Sequence, residues 1–210
     1  MLDDNNLSLS NKTLLVASSG CGIDAHYIKK FYNPKKVCFS DINTKAMEKS
    51  QSNFSDELFI LTDNQHLAFK DNSFDYVVIA ASLHHLKEPA RGVYELLRVA
   101  KEGLIVIEPN DTWLTRLFEK LGWASEYEIE HGNYVYRFNK RDVVKLSKAL
   151  FLKYDLRRFF AIHKVAKTKL EFCLLKALNG FANLFGPALG NYIVFLIKKE
   201  KVFPKGFKKQ

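Results

Sequence analysis

The stretch at residues 61–109, LTDNQHLAFKDNSFDYVVIAASLHHLKEPARGVYELLRVAKEGLIVIEP, strings together a loop, an apolar strand, a histidine pair, an amphipathic helix and a second apolar strand. FDYVVIAAS (74–82) and GLIVIE (103–108) are short continuous apolar runs, the pattern of strands buried on both faces. PARGVYELLRVA (89–100) repeats its apolar residues at helical spacing, and Pro89 suits the first turn, where no backbone donor is needed. Upstream, TLLVAS (13–18), KVCFS (36–40) and ELFIL (57–61) read as further strands. DAHYIKKF and NTKAMEKSQ read as the helices between them, with Asn43 as N-cap of the second. Apolar strands alternating with helices predict a mainly parallel sheet covered on both faces. Such sheets bind ligands beyond the strand C-termini, where strand order reverses.

The second half departs from this alternation. DTWLTRLFEKLGW (111–123) and KRDVVKLSKAL (140–150) read as helices, NYVYRF (133–138) as an extended piece, and FLKYDLRRFFAIH (151–163) as a strand with alternating faces. Residues 165–186 form an apolar-rich helical pattern, with Leu170, Leu174, Ala177, Leu178, Phe181 and Phe185 at three-to-four spacing. NYIVFLIKK (191–199) closes as a strand before a basic tail. With no internal repeat or Gly/Ser linker, residues 1–210 read as one domain. Its core is 1–110, and 111–210 is a substrate-side half with a helical insertion at about 165–186.

The turn after the first strand, VASSGCGIDA (16–25), places glycines where backbone can approach a ligand and aims the next helix's N–H groups at it. Gly20, Gly22 and Ala25 also fit the dinucleotide pattern G-x-G-x-x-A, with Asp41 at the distance of a ribose-binding acid. A nicotinamide oxidoreductase is therefore a competing reading. Tyr32 and Lys36 share the spacing of one dehydrogenase pair, but between the first two strands, away from that catalytic helix.

The downstream block resembles the class I S-adenosylmethionine-dependent methyltransferases, the type 11 small-molecule family in particular. The family's loop E-x-L-P-F-x-D-x-S-F-D is matched by Asp63 through Asp75, followed by Leu83-His84-His85-Leu86, then Pro89, Glu95, Arg98, Val99 and Glu108-Pro109. The resemblance covers roughly residues 12–110. It implies a Rossmann-like, doubly wound, mainly parallel seven-stranded sheet in the order 3-2-1-4-5-7-6 with the last strand antiparallel. It also implies S-adenosyl-L-methionine as cofactor, with Ser18, Gly20, Cys21 and Gly22 around the methionine part. Asp41 and Ile42 would meet ribose and adenine, Asp63 and Asn64 the adenine edge, and Ala80 the pocket floor. The family usually carries an acid where Val16 stands, a glycine where Ser18 stands and a proline where Ala68 stands. A degenerate, non-catalytic interaction protein is accordingly a third reading.

His84 and His85 are the candidate general bases, since imidazole exchanges protons near neutral pH. Sharing of the pair across the family, whatever the substrate, also suits a pocket-wall role. No metal-ligand spacing occurs, and methyl transfer from a sulfonium requires no metal. Trp113, Trp123, Tyr127, Tyr134 and Tyr136 are candidate walls of an acceptor pocket, and Glu128, Glu130, His131 and Arg137 its polar candidates.

Residues 1–110 carry a balance of −2 and residues 111–210 one of +11, together the +9 of the chain. That asymmetry suits an anionic partner, and a lysine-rich solvated face is the plainer alternative. The apolar helical pattern beside it suggests an anionic membrane surface or a lipid- or phosphate-bearing small-molecule acceptor. Packing across the sheet or a homodimer interface are the alternatives for that helix. A nucleic-acid substrate is disfavoured, since no Asn/Asp-Pro-Pro-Tyr motif or separate binding module is present. Three cysteines without metal spacing, no run long enough to span a bilayer and a polar, acidic start read as a cytoplasmic protein, with peripheral membrane association as the variant.

Overall fold

The computed structural model describes residues 7–122, 124–129, 132–161, 168–184 and 190–204. Five parallel strands come first: β1 (Thr13–Ala17), β2 (Lys36–Asp41), β3 (Leu58–Leu61), β4 (Phe74–Ala80) and β5 (Ala100–Pro109). Helices α1 (Ile23–Tyr32), α2 (Thr44–Asn53) and α3 (Pro89–Val99) connect them. The second half adds α4 (Trp113–Lys120), a small hairpin of β6 (Tyr127–Glu128) and β7 (Asn133–Tyr134), α5 (Lys140–Ala149), β8 (Leu152–Phe159), α6 (Lys169–Leu184) and β9 (Tyr192–Lys201).

The main sheet has the order β3-β2-β1-β4-β5-β9-β8, with β9 antiparallel to both neighbours. With the small hairpin set aside, this is the expected 3-2-1-4-5-7-6 with its last strand reversed. An antiparallel strand wedged between the fifth and sixth is foreign to the dinucleotide order 3-2-1-4-5-6. Strand order reverses between β1 and β4. Ala17 faces Ser40 of β2 and Ile79 of β4 in register, so the three strands end level and open one cleft above them.

Side-chain alternation along β1 builds the two faces of the core. Leu15 and Ala17 join Val77, Ile79, Val106, Val93 and Leu96 on the α3 side. Leu14 packs with Tyr76, Val78 and Ile105 on the other, and Val16 with Ala25, Phe39 and Met47. An acid at position 16 would enter this apolar cluster unpaired, and Val16 fills it instead.

Several residues of the motif block serve as braces. Arg98 donates to the Leu67 and Phe69 carbonyls at 3.0 and 2.8 Å and to Asp71 at 2.8 Å. It also donates to Glu95 and holds that carboxyl below the usual range, while Glu95 accepts from the Leu67 N–H at 3.2 Å. The loop carrying Asp63 and Asn64 is thereby tied to α3. Asp75 accepts from the Thr13 backbone N–H at 2.7 Å and the Thr13 hydroxyl at 2.8 Å, fastening β4 to the start of β1.

The structure trims or moves several expected elements. The fourth strand stops at Ala80, because Ala81 turns left-handed at φ 46°. Of the extended piece 133–138, only Asn133–Tyr134 pairs as a strand. Helix α6 does not lie across the sheet: its described apolar side chains Phe172, Leu174, Leu178, Phe181 and Leu184 are exposed. The side chain of Leu170 and the whole of Phe185 lie outside the described residues.

Hydrogen bonds from Thr13 hold the Asp75 carboxyl below the usual carboxylate range. A depressed folded-state value contributes stability above the ordinary value near ~3.9, and that stability is lost as pH falls through the folded value. Asp75→Asn is expected to lower the unfolding free energy by about 1–2 kcal/mol at neutral pH, with the deficit shrinking in acid. Urea melts of both proteins at the two pH values check this, and an equal deficit at both would contradict it.

Candidate active site

The turn leaving β1 is left-handed at three positions, Ser18 (φ 49°), Gly20 (φ 52°) and Gly22 (φ 85°). The two glycines serve different ends. A side chain on Gly20 would meet nothing within 4 Å, so its backbone stands open to the cleft. A Cβ on Gly22 would lie 2.6 Å from the Ser50 hydroxyl and 2.7 Å from the Phe54 ring, so Gly22 is there to let α1 close on α2. Ser18, where a glycine is usual, accepts a 2.7 Å hydrogen bond from the Asn64 side chain, which latches the turn to the loop after β3.

Asp41, at the C-terminal end of β2, accepts from the Gly20 N–H at 2.9 Å and the Asn43 N–H at 2.8 Å. Each carboxylate oxygen keeps a second lone pair. Asn43 caps α2 through the Ala46 N–H, as expected. Asp63 accepts from the Gln65 N–H at 2.8 Å, holding the turn that presents Asn64.

Ser18, Gly20, Asp41, Ile42, Asp63 and Asn64 line one cleft of about 690 Å³, joined by Thr62, Gln65, Ser82, His85, Lys87 and Asn133. Three of the expected contacts lie elsewhere. Cys21 is half-buried and off the cleft wall, Gly22 packs against α2, and Ala80 faces an apolar cavity of about 300 Å³ under α1 with Tyr27, Phe31 and Ile107. The cleft fits a nucleoside-bearing cofactor by its own chemistry. The Asn64 Oδ1 is buried with no hydrogen-bond partner, Ile42 stands 68% exposed on the cleft wall, and the volume is that of a typical cofactor site.

The histidine pair forms a single-turn 3₁₀ helix, Leu83–His85, held from below by one carboxylate. Glu108 is wholly buried near the end of β5. It accepts from the Ser82 and Leu83 N–H groups at 2.8 and 2.7 Å, and its other oxygen is 2.6 Å from His84 Nδ1. A carboxylate is acceptor-only, so His84 Nδ1 carries the proton and Nε2 is left for other work. That Nε2 faces Glu128 Oε1 at 3.7 Å, while His85 Nδ1 lies 3.1 Å from Glu128 Oε2. Asn133 ties β7 to the cluster by donating to the His84 carbonyl at 3.2 Å.

Glu128 belongs to a second cavity of about 390 Å³ beyond the ends of β5 and β9, lined also by Thr115, Phe118, Arg137, Phe160 and Tyr192. His85 and Asn133 belong to the first cleft, so the His84–His85–Glu128 cluster stands between the two. Burial pushes the Tyr192 phenol up, keeping it a donor. Arg137 pairs with Glu119 and donates to the Ser125 carbonyl at 2.6 Å. Trp113, Tyr127 and Tyr134 are exposed outside this cavity, Tyr136 packs on Phe138, and Trp123, Glu130 and His131 lie outside the described residues. Among the described residues, His84, His85 and Glu128 are also a group whose donor atoms, within 4.8 Å of one another, could share a cation.

Glu108 escaped the sequence reading as a site residue, whereas Glu128 was among its polar candidates for an acceptor pocket. Glu108 was legible only as part of a Glu-Pro match, although an acid ending the apolar run GLIVI is a signal in itself, because a buried acid must be paired. What the reading of Glu128 lacked was its meeting with His84, which the folding of the β6–β7 hairpin brings about and no local signal records.

Residues 15–107, from β1 to β5, match the sequence model of a family described as a methyltransferase domain. This stretch of the chain is thus similar to a methyltransferase domain. Domains of this class take their methyl group from S-adenosylmethionine. The ubiquinone/menaquinone biosynthesis C-methyltransferase UbiE of Pseudomonas fluorescens is 26% identical over 125 residues, which is 54% of this chain and 49% of that protein. The human mitochondrial arginine-hydroxylase NDUFAF5 is 28% identical over 118 residues, 55% of this chain and 31% of that one. The chain spans about half the length, or less, of these curated relatives. Among solved structures, a methyltransferase-titled protein of Bacillus halodurans superposes with a TM-score of 0.68 at 17% identity, covering 95% of this chain and 97% of that one. The shared fold therefore extends through the basic half, beyond the matched domain.

The two glycines are separable by experiment. Gly20→Ala is expected to lose about 1 kcal/mol of stability from its left-handed backbone alone. Gly22→Ala is expected to lose roughly 1–3 kcal/mol more, from collision with Ser50 and Phe54. Chemical unfolding of the two variants measures the difference, and equal losses would refute the assignment of Gly22 to packing.

Proposed function

We propose that this protein is an S-adenosylmethionine-dependent methyltransferase acting on a small-molecule acceptor that is lipid- or phosphate-bearing, at or near an anionic membrane surface. The observation that carries the reading is the convergence of the open Gly20 backbone, Asp41, Ile42, Asp63 and Asn64 in one cleft, beside a second cavity. When bound, the cofactor supplies a methyl group already activated by a sulfonium charge. Asp41 would receive the ribose hydroxyls, Ile42 would meet the adenine, and Asp63 and Asn64 would meet its edge. Ser18 and Gly20 would hold the methionine part.

The remaining task is to hold the acceptor in line and to take its proton. His84 Nε2 is the base: Glu108 fixes the ring with Nε2 toward Glu128, a wall residue of the second cavity, and also stabilises the imidazolium that forms. Glu128 and His85 close the boundary between the cavities. Tyr192 and Arg137 supply donors to the polar end of the acceptor, and Phe118 and Phe160 its apolar wall. Relatives named as C-methyltransferases of ubiquinone/menaquinone biosynthesis support a small-molecule acceptor.

Calorimetry with S-adenosylhomocysteine is expected to show one site, with Asp41→Ala weakening binding roughly 10- to 100-fold through lost charge-assisted hydrogen bonds. Binding of nicotinamide nucleotides in its place would establish the oxidoreductase, and binding of neither the interaction protein. With label followed from S-adenosylmethionine into total lipid extract, His84→Ala is expected to slow transfer by about 10²- to 10⁴-fold while S-adenosylhomocysteine affinity is kept. An unchanged rate would remove His84 from the chemistry.

A further inference from the structure

Helix α6 leaves a stripe of described apolar side chains uncovered. At 100° per residue, Lys169, Phe172, Lys176, Asn179 and Asn183 fall on one stripe, and Leu174, Leu178 and Phe181 on the opposite one. Asn183, on the mainly polar stripe, attaches the helix to the end of β8. Asn183 Oδ1 accepts from the Phe160 N–H at 2.7 Å and its Nδ2 donates to the Phe160 carbonyl at 2.8 Å. The apolar stripe faces away from that attachment, with Leu174, Leu178 and Phe181 at 57%, 46% and 64% exposure.

The surroundings are basic. Arg157 and Arg158 lie on β8 just before the attachment point, Lys169 and Lys176 lie on α6 itself, and the whole half from residue 111 carries +11. A second copy would bring a second charge of the same sign to the contact, whereas anionic lipid headgroups neutralise it. The helix, 16 residues long, is too short to cross a bilayer, and among the described residues no helix does so. Its wide apolar face and lysine-bearing polar face are those of a helix lying in the interfacial plane. The attachment point also bears on the chemistry, because Phe160 is a wall of the second cavity.

We propose that α6 lies in the headgroup region of an anionic bilayer, apolar stripe inward, and brings the mouth of the second cavity to that surface so that a lipid-borne acceptor enters from the membrane. The statement about the acceptor rests on the methyltransferase reading, and the docking of α6 does not.

The test is flotation of the whole chain with vesicles of equal parts phosphatidylglycerol and phosphatidylcholine, against phosphatidylcholine alone, at about 0.05 and 0.5 M salt. The chain is expected to float with the anionic vesicles roughly tenfold better than with the neutral ones, and to be released by salt. The double variant Leu174→Glu, Leu178→Glu is expected to lose roughly tenfold or more of that binding, while S-adenosylhomocysteine calorimetry shows the fold intact. Equal flotation of variant and parent, or no preference of the parent for anionic vesicles, overturns the proposal. So does a dimer in sedimentation velocity that the double variant abolishes, which would assign the stripe to a second copy. A chain that floats as expected without binding S-adenosylhomocysteine leaves the docking standing and removes the methyltransferase reading. The converse pair of results removes the docking alone.

Discussion

A carboxylate without water must find its donors in the protein, and the whole arrangement above the sheet follows from how Glu108 does so. Two of its donors are successive backbone N–H groups, Ser82 and Leu83, at the point where the chain leaves β4. The third is an imidazole nitrogen two residues away from the first. With its three donors in place, the charge is met and the turn has one geometry. The histidine pair then has no freedom to drift into either cavity. Loss of this carboxylate would free the boundary between the two cavities as well as a side chain.

The same economy runs through the motif block. Its most recognisable letters divide into those that would touch a ligand and those that hold the former still. Arg98, Glu95 and Asp71 fix the loop that presents Asp63 and Asn64, and Asp75 clamps β4 to β1. Pattern resemblance is therefore strong where the braces are strong. The braces are independent of the acceptor, so the block is informative about the fold and the cofactor and nearly silent about what is methylated.

Strand order and the placing of six cofactor-side residues were legible because they follow from local rules: apolar runs, caps, and ligand sites at a topological switch. What escaped was long-range or dual-use. Gly22 reads as a ligand glycine because glycine permits both close approach and close packing, and only the neighbouring Phe54 tells which. Ala80 reads as cleft floor because it ends the fourth strand, yet alternation points it to the α1 side. Glu128 arrives from a hairpin whose position no local pattern records. The 165–186 segment shows helical periodicity equally in a packed and an outward-facing helix, so its sequence left the orientation open.

The edge of the sheet at β8 is finished by two asparagines that imitate a peptide group. Asn183 pairs with both backbone groups of Phe160, and Asn191 pairs with both of Ala161, each by a donor and an acceptor at 2.7–2.9 Å. Successive residues of one strand end are thus answered from opposite sides, as neighbouring strands would answer them. An otherwise open edge, the usual template for unwanted pairing between molecules, is closed there without a further strand. The chain departs at Ala161 and is met again by Asn191, so the excursion between them begins and ends at one place. A segment anchored in this way can lengthen, shorten or change character at small entropic cost while the sheet beneath keeps its register. In a lineage of enzymes, that makes it a module where affinity for new surroundings can be acquired and discarded independently of the catalytic core.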